Sequence, residues 1–90
     1  AAEWGMIWQA LPDERLIEEA EALTARLAAG PTAGLALTKR ALDAAMTHTL
    51  DRQLDLEREL QGEAGRTADF TEGVRAFLEK RPPVFTGRRR

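Results

Sequence analysis

The sequence predicts an all-α fold: a small bundle of about four amphipathic helices, with a short extended segment near the N-terminus. Three observations predict it. Apolar residues recur at three- and four-residue steps in four windows. Charged residues fill the other side of each window. Glycine, proline and cap-forming residues separate the windows by short connections. Ninety residues make one domain. A chain this short buries only a little over half of its unfolded surface, so its helices are expected to pack on one another and on something outside the chain.

Ala1 to Trp4 read as the tail of a helix that Gly5 closes in the left-handed conformation. Met6 to Leu11 is nearly all apolar, and periodicity leaves a buried strand and an extended connector both open. Pro12 ends either one. Asp13 is the expected N-cap of a first helix running to about Ala29, with Leu16, Ile17, Ala20, Leu23 and Leu27 as its stripe. Its glutamates crowd the N-terminal half, where the helix dipole favours anions. Gly30-Pro31 is the clearest break, with glycine closing one helix and proline opening the next. The second helix is expected over about 32–46, with Leu35, Leu42, Ala45 and Met46 on one face. Thr49 is a possible cap for a third helix from Leu50 to about Glu63, ended by Gly65. A fourth helix starts near Asp69, where Asp69 and Glu72 have capping-box spacing. Phe70, Val74, Phe77 and Leu78 form its apolar face, and Pro82-Pro83 end it. Val84 to Gly87 is an extended tail, followed by three arginines.

The bulk properties exclude several classes. A net charge of −2 argues against broad nucleic-acid binding. The Arg88–Arg90 end has no basic or aromatic surface beside it and reads as a solvated tail. Without cysteine there is no disulfide, thiolate metal site or catalytic thiol, which fits a reducing cytoplasm. No apolar run is long enough to span a bilayer, and no signal-peptide pattern occurs.

A search for catalytic groups within the chain finds none. His48, the single histidine, sits in a Thr-His-Thr junction without a nearby nucleophile or orienting partner. The carboxylates lie among arginines on helix surfaces, as solvated faces do. Gly30 to Gly34 lacks the lysine and spacing of a phosphate-binding loop, and no metal-ligand spacing exists.

Four stretches, in order, carry a family resemblance. Ala2-Glu3-Trp4-Gly5-Met6-Ile7-Trp8 is similar to an A-x-x-x-G-L-V segment, and Pro12-Asp13-Glu14-Arg15-Leu16 to a P-D-E-x-L helix start. Gly30-Pro31 through Lys39 and Leu42 resembles G-P-x-A-x-x-x-x-K-x-x-L. Asp69 to Gly87 resembles D-F-x-E-G-V-x-A-F-L-E-K-R-x-P-x-F-x-G, the most specific of the four. Together they resemble the crotonase superfamily of enoyl-CoA hydratases and isomerases. The resemblance implies that the chain is the C-terminal helical part of such an enzyme. The oxyanion hole and acid–base carboxylates would then lie upstream, and no catalytic residue in residues 1–90. The Ala-Ala-Glu-Trp start, without an initiator methionine, fits a cut from a longer protein.

The resemblance also implies site residues and partners. Phe77 and Lys80 match positions that meet the coenzyme A nucleotide in a neighbouring subunit, with Arg81 a weaker candidate for the same charge role. An aromatic face suits adenine, and an ammonium suits phosphate. Core packing also explains Phe77, and the favourable helix C-terminus also explains Lys80. Trp4 and Trp8 are candidates either to line an aromatic acyl pocket or to anchor this segment on a larger domain. The implied substrate is an acyl-CoA, with no separate cofactor and no metal. The implied assembly is a homo-trimer or hexamer. The stretches 4–8, 50–58 and 64–69 look most like the phenylacetate-degradation branch, which isomerises ring-epoxidised phenylacetyl-CoA. A generic enoyl-CoA hydratase is the runner-up, and a free-standing helical interaction module is the reading from another class.

Overall fold

The computed structural model describes residues 1–88, and its regular structure is entirely helical: α1 (Asp13–Ala28), α2 (Thr32–Ala45), α3 (Leu50–Gly65) and α4 (Ala68–Glu79). Arg89 and Arg90 of the arginine tail lie outside the described residues.

The helix ends show how local chemistry sets the boundaries. Gly5 is left-handed, at φ 76°. Its N–H donates to the Ala2 carbonyl and that of Met6 to Ala1, both at 3.1 Å. This is the paired bonding of a Schellman helix close. Met6 to Leu11 form no strand among the described residues, because no second strand is there to take up their backbone groups. Asp13 is not the cap of α1: Pro12 occupies that position without a side-chain bond, and Asp13 is the first helical residue. Its carboxylate still sits in the first turn, where the dipole favours it. Gly30 is not left-handed, and a Cβ on it would lie 3.2 Å from the Leu27 carbonyl oxygen. Pro31 stands one residue earlier than expected, at the cap of α2, where its carbonyl accepts from Leu35 N at 3.0 Å. Thr49 does cap α3, accepting from Arg52 N at 3.4 Å.

α2 and α3 form a hairpin through Thr47-His48-Thr49. Its buried contacts come from Ala33, Leu37 and Leu60, with Ala41, Ala44 and Leu56 half-buried. The Gln53 side-chain amide donates to the Ala41 carbonyl at 2.9 Å and fixes the register. Arg40 and Glu63 add a long, solvated ion pair at 3.9 Å between the two helices, of small value. α4 packs on α3, and Ala76 of α4 is almost fully buried. α1 buries none of its residues.

The expected apolar stripes mostly face outward. Leu42 on α2 and Met46 at its C-cap are exposed, and the line Ala33, Leu37, Ala41 and Ala44 is the buried or half-buried side of α2 instead. On α4, Phe70, Val74, Phe77 and Leu78 are all exposed. The result is an open array of helices rather than a closed bundle. Its radius of gyration is 16.3 Å, against about 12 Å for a compact 90-residue domain. Its accessible surface is 7688 Å²; a compact monomer of this mass would expose about 5,200 Å².

Candidate coenzyme A surface at the end of helix α4

Thr67 caps α4. Its hydroxyl oxygen accepts from Phe70 N at 3.2 Å, while its O–H donates to the Ala64 carbonyl at 2.7 Å. The expected capping box of Asp69 and Glu72 is therefore absent. Both carboxylates do something else, because they project from one side of α4 toward the returning tail. Asp69 is buried, and its Oδ1 accepts from Thr86 N at 2.7 Å and its Oδ2 from Gly87 N at 2.9 Å. Glu72 Oε2 accepts from Val84 N at 2.8 Å and from Arg81 Nη1 at 2.7 Å, and its Oε1 from Arg81 Nη2 at 3.0 Å. Two carboxylates one helical turn apart thus strap residues 81–87 along α4. The strap lays Phe85 over Gly73, where an added Cβ would meet the ring at 3.7 Å. It also brings Gly87, at φ 72°, within 2.2 Å of Thr32 Oγ1 for any added Cβ, so this close approach requires glycine.

The helix closes at Lys80, which is left-handed at φ 54° and ψ 47°. Lys80 N donates to the Phe77 carbonyl at 3.3 Å and Arg81 N to the Ala76 carbonyl at 3.0 Å, a Schellman close with lysine where glycine is usual. Phe77 is 82% exposed, so packing within this chain does not account for it. It borders an apolar groove of about 450 Å³ walled by Phe70, Val74, Leu78 and Phe85. Lys80 is exposed as well. Phe77, on the last turn of α4, and Lys80, at its C-cap, are thus both exposed at the same end of the helix. Arg81 is adjacent, but its guanidinium is committed to Glu72 and, through Nε at 2.6 Å, to Glu79. Trp4 and Trp8 lie elsewhere and are exposed. Trp8 borders a separate groove with Leu11, Leu16 and Leu23. His48 is half-buried, and its Nδ1 has no hydrogen-bond partner among the described residues. No group of three or more metal-ligating side chains gathers among the described residues. No helix there is long and apolar enough to cross a membrane.

The strap has a pH signature. Hydrogen bonds from Arg81, then from Val84 N–H, hold the Glu72 carboxyl well below its usual range, at about 2. The same pairing raises Arg81 above its ordinary value. A depressed carboxyl pKa contributes stability that is complete above the usual value of 4.5 and is lost as pH falls toward about 2. Amide exchange of Val84 is expected to stay protected, after correction for intrinsic rates, down to about pH 4.5 and to lose protection below it. Loss of protection already between pH 8 and 6 would contradict the assignment.

The segment thus presents outward apolar faces and, at one end of α4, an exposed phenylalanine and an exposed lysine. The chain belongs to the Enoyl-CoA hydratase/isomerase family, whose sequence pattern matches residues 1–88. It is 58% identical over 88 residues to a 1,2-epoxyphenylacetyl-CoA isomerase of Escherichia coli, covering 98% of this chain and 34% of that protein. It is 53% identical over 88 residues to a probable enoyl-CoA hydratase of Rhodobacter capsulatus, with the same coverage. A solved enoyl-CoA hydratase from Geobacillus kaustophilus superposes with a TM-score of 0.88 at 31% identity, over 97% of this chain and 33% of that one. The chain thus spans about a third of the length of the relatives it matches. The open helical array is shared with a solved member of the family.

The residues that sequence reasoning missed are Asp69 and Glu72 as tail ligands and Thr67 as the cap. Two acids three residues apart fit a capping box equally well, so their spacing did not reveal the tail as their partner.

Proposed function

We propose that this chain is the C-terminal helical segment of an acyl-CoA isomerase that acts on ring-epoxidised phenylacetyl-CoA. The observation that carries the reading is the 58% identity, across nearly the whole chain, to a protein of that name. The acid–base groups and oxyanion hole are assigned to the rest of the protein. This segment contributes subunit contacts and part of the coenzyme A site. Its surface exceeds that of a compact monomer by about 2,500 Å², the amount one partner gives up in a large obligate interface. A homo-trimer or hexamer is the proposed assembly, in the cytoplasm. Phe77 offers its face to the adenine and Lys80 its ammonium to the phosphates of an acyl-CoA held by a neighbouring subunit. Trp4 and Trp8 are assigned to the acyl pocket or to the anchoring of this segment on the larger domain.

The test is turnover by the full-length protein. Ring-1,2-epoxyphenylacetyl-CoA should be isomerised, and crotonyl-CoA hydrated far more slowly. The reverse preference would select the generic hydratase reading, which the 53% identity to a probable enoyl-CoA hydratase favours.

The left-handed lysine gives a separate prediction. Lys80→Gly should raise the melting midpoint of the full-length protein by the equivalent of about 1 kcal/mol, since glycine takes this conformation without a Cβ penalty. Lys80→Ala should not raise it. Both variants should bind coenzyme A about tenfold more weakly, the loss expected when a charge-assisted contact worth about 1.4 kcal/mol is removed.

A further inference from the structure

We propose that Glu72 and Arg81 are a positioning pair for Lys80: their bidentate ion pair, with the tail tied beside it, locks the left-handed turn that aims the lysine at the phosphates of coenzyme A. The inference rests on the reading that Lys80 meets that ligand, and it removes Arg81 from the direct contacts.

Lys80 is the only non-glycine residue among those described with a positive φ. Side chains with a Cβ adopt this conformation rarely, and it persists where the surroundings impose it. Here the surroundings are explicit. Before Lys80 stands the last turn of α4. After it, Arg81 is fastened by its backbone N–H to the Ala76 carbonyl and by its fork to Glu72. Its Nε donates to Glu79 at 2.6 Å and its Nη1 also reaches the Pro82 carbonyl at 3.3 Å. All three guanidinium nitrogens are therefore engaged within the chain. Val84 then returns to the same Glu72 oxygen that Arg81 Nη1 uses. The Lys80 side chain, by contrast, makes no hydrogen bond or ion pair with any described residue. One cation is spent on geometry and its neighbour is left free. A lysine has four rotatable bonds, so fixing its backbone limits the volume that the ammonium searches and reduces the ordering cost of binding.

The experiment is calorimetric binding of free coenzyme A and of pantetheine, which lacks the nucleotide, to the full-length protein. The readout is the ratio of the two affinities, which a general loss of folding does not move selectively. Lys80→Ala should lower the ratio about tenfold. Arg81→Gln and Glu72→Gln should each lower it three- to tenfold, and Arg81→Gln should add nothing in a Lys80→Ala background. Arg81→Lys, which keeps the charge but loses the fork, should fall with Arg81→Gln and serves if that variant does not fold. If Arg81 touched phosphate itself, Glu72→Gln would free it and raise coenzyme A affinity, and Arg81→Gln and Lys80→Ala would multiply; that result overturns the proposal. If Lys80→Ala lowers the ratio while Arg81→Gln, Arg81→Lys and Glu72→Gln do not, positioning alone fails. If Lys80→Ala leaves the ratio unchanged, the Lys80 reading fails and the positioning role with it.

Discussion

Asp69→Ala is expected to release the C-terminal strap and lower the stability of the full-length protein by about 2 kcal/mol. Hydrogen bonds to a charged partner contribute about 1.5–3 kcal/mol each, and Asp69 accepts two from backbone N–H groups while almost fully buried. The sum is not realised in full, because the freed tail can turn its N–H groups to water. The helix N-terminus adds to the loss, since Asp69 lies in the first turn of α4, where a negative charge is favoured. Asp69→Asn should recover only part. Its one carbonyl oxygen can serve Thr86 or Gly87, but its NH₂ then opposes the other N–H. The measurements are the thermal midpoint and the exchange rates of the Thr86 and Gly87 amides. Both amides should lose protection in Asp69→Ala, ahead of the α4 amides. A drop in the midpoint without tail exchange would show that Asp69 acts through the packing of α4 instead.

What the sequence revealed about this region, and what it concealed, has a physical origin. Helix spans were legible because backbone punctuation is local: Thr49, Gly5 and Pro82-Pro83 act through neighbouring residues only. The four helices fall within a residue or two of expectation for that reason. Caps misled where two local solutions compete. Asp69 and Glu72 have capping spacing, but Thr67 took the cap and left both acids free to bind a segment 12 to 18 residues away. Nothing in the local pattern distinguishes those outcomes. Lys80 at φ 54° was illegible for a similar reason, since lysine is a poor candidate for that conformation by propensity.

The apolar stripes taught a different lesson. Periodicity reports that a face is buried somewhere, not that it is buried within the chain that carries it. Leu42 and Met46 on α2, and Phe77 and Leu78 on α4, were read correctly as apolar faces, yet all stay exposed here. The contacts internal to the chain use Leu37 and Leu60 together with Ala33, Ala44 and Ala76, and the alanines are too small to dominate a pattern. Family resemblance nominated Phe77 and Lys80, and the structure adds that both are exposed and that Lys80 stands in a left-handed turn beside the Glu72–Arg81 pair.

The ninety-residue chain alone is expected not to melt as one cooperative unit, whereas the full-length protein should. Cooperative unfolding requires elements that bury one another, and here only α2 with α3 and α3 with α4 do so to any extent. α1 has no buried residue, so its stability must come from propensity and pairs such as Arg15 with Glu19, each worth a few tenths of a kcal/mol. A helix of 16 residues is marginal in water on those terms. Amide protection in the isolated chain should therefore be highest in the α2–α3 hairpin, lower in α4 and near zero in α1. The exposed leucines, tryptophans and phenylalanines should also make it bind apolar dyes and self-associate with rising concentration. The full-length protein should show α1 and α4 protected together and should sediment as a trimer or hexamer. A monomeric, sharply melting isolated chain would mean that these faces tolerate water, and the subunit-contact role proposed for them would then have no physical basis.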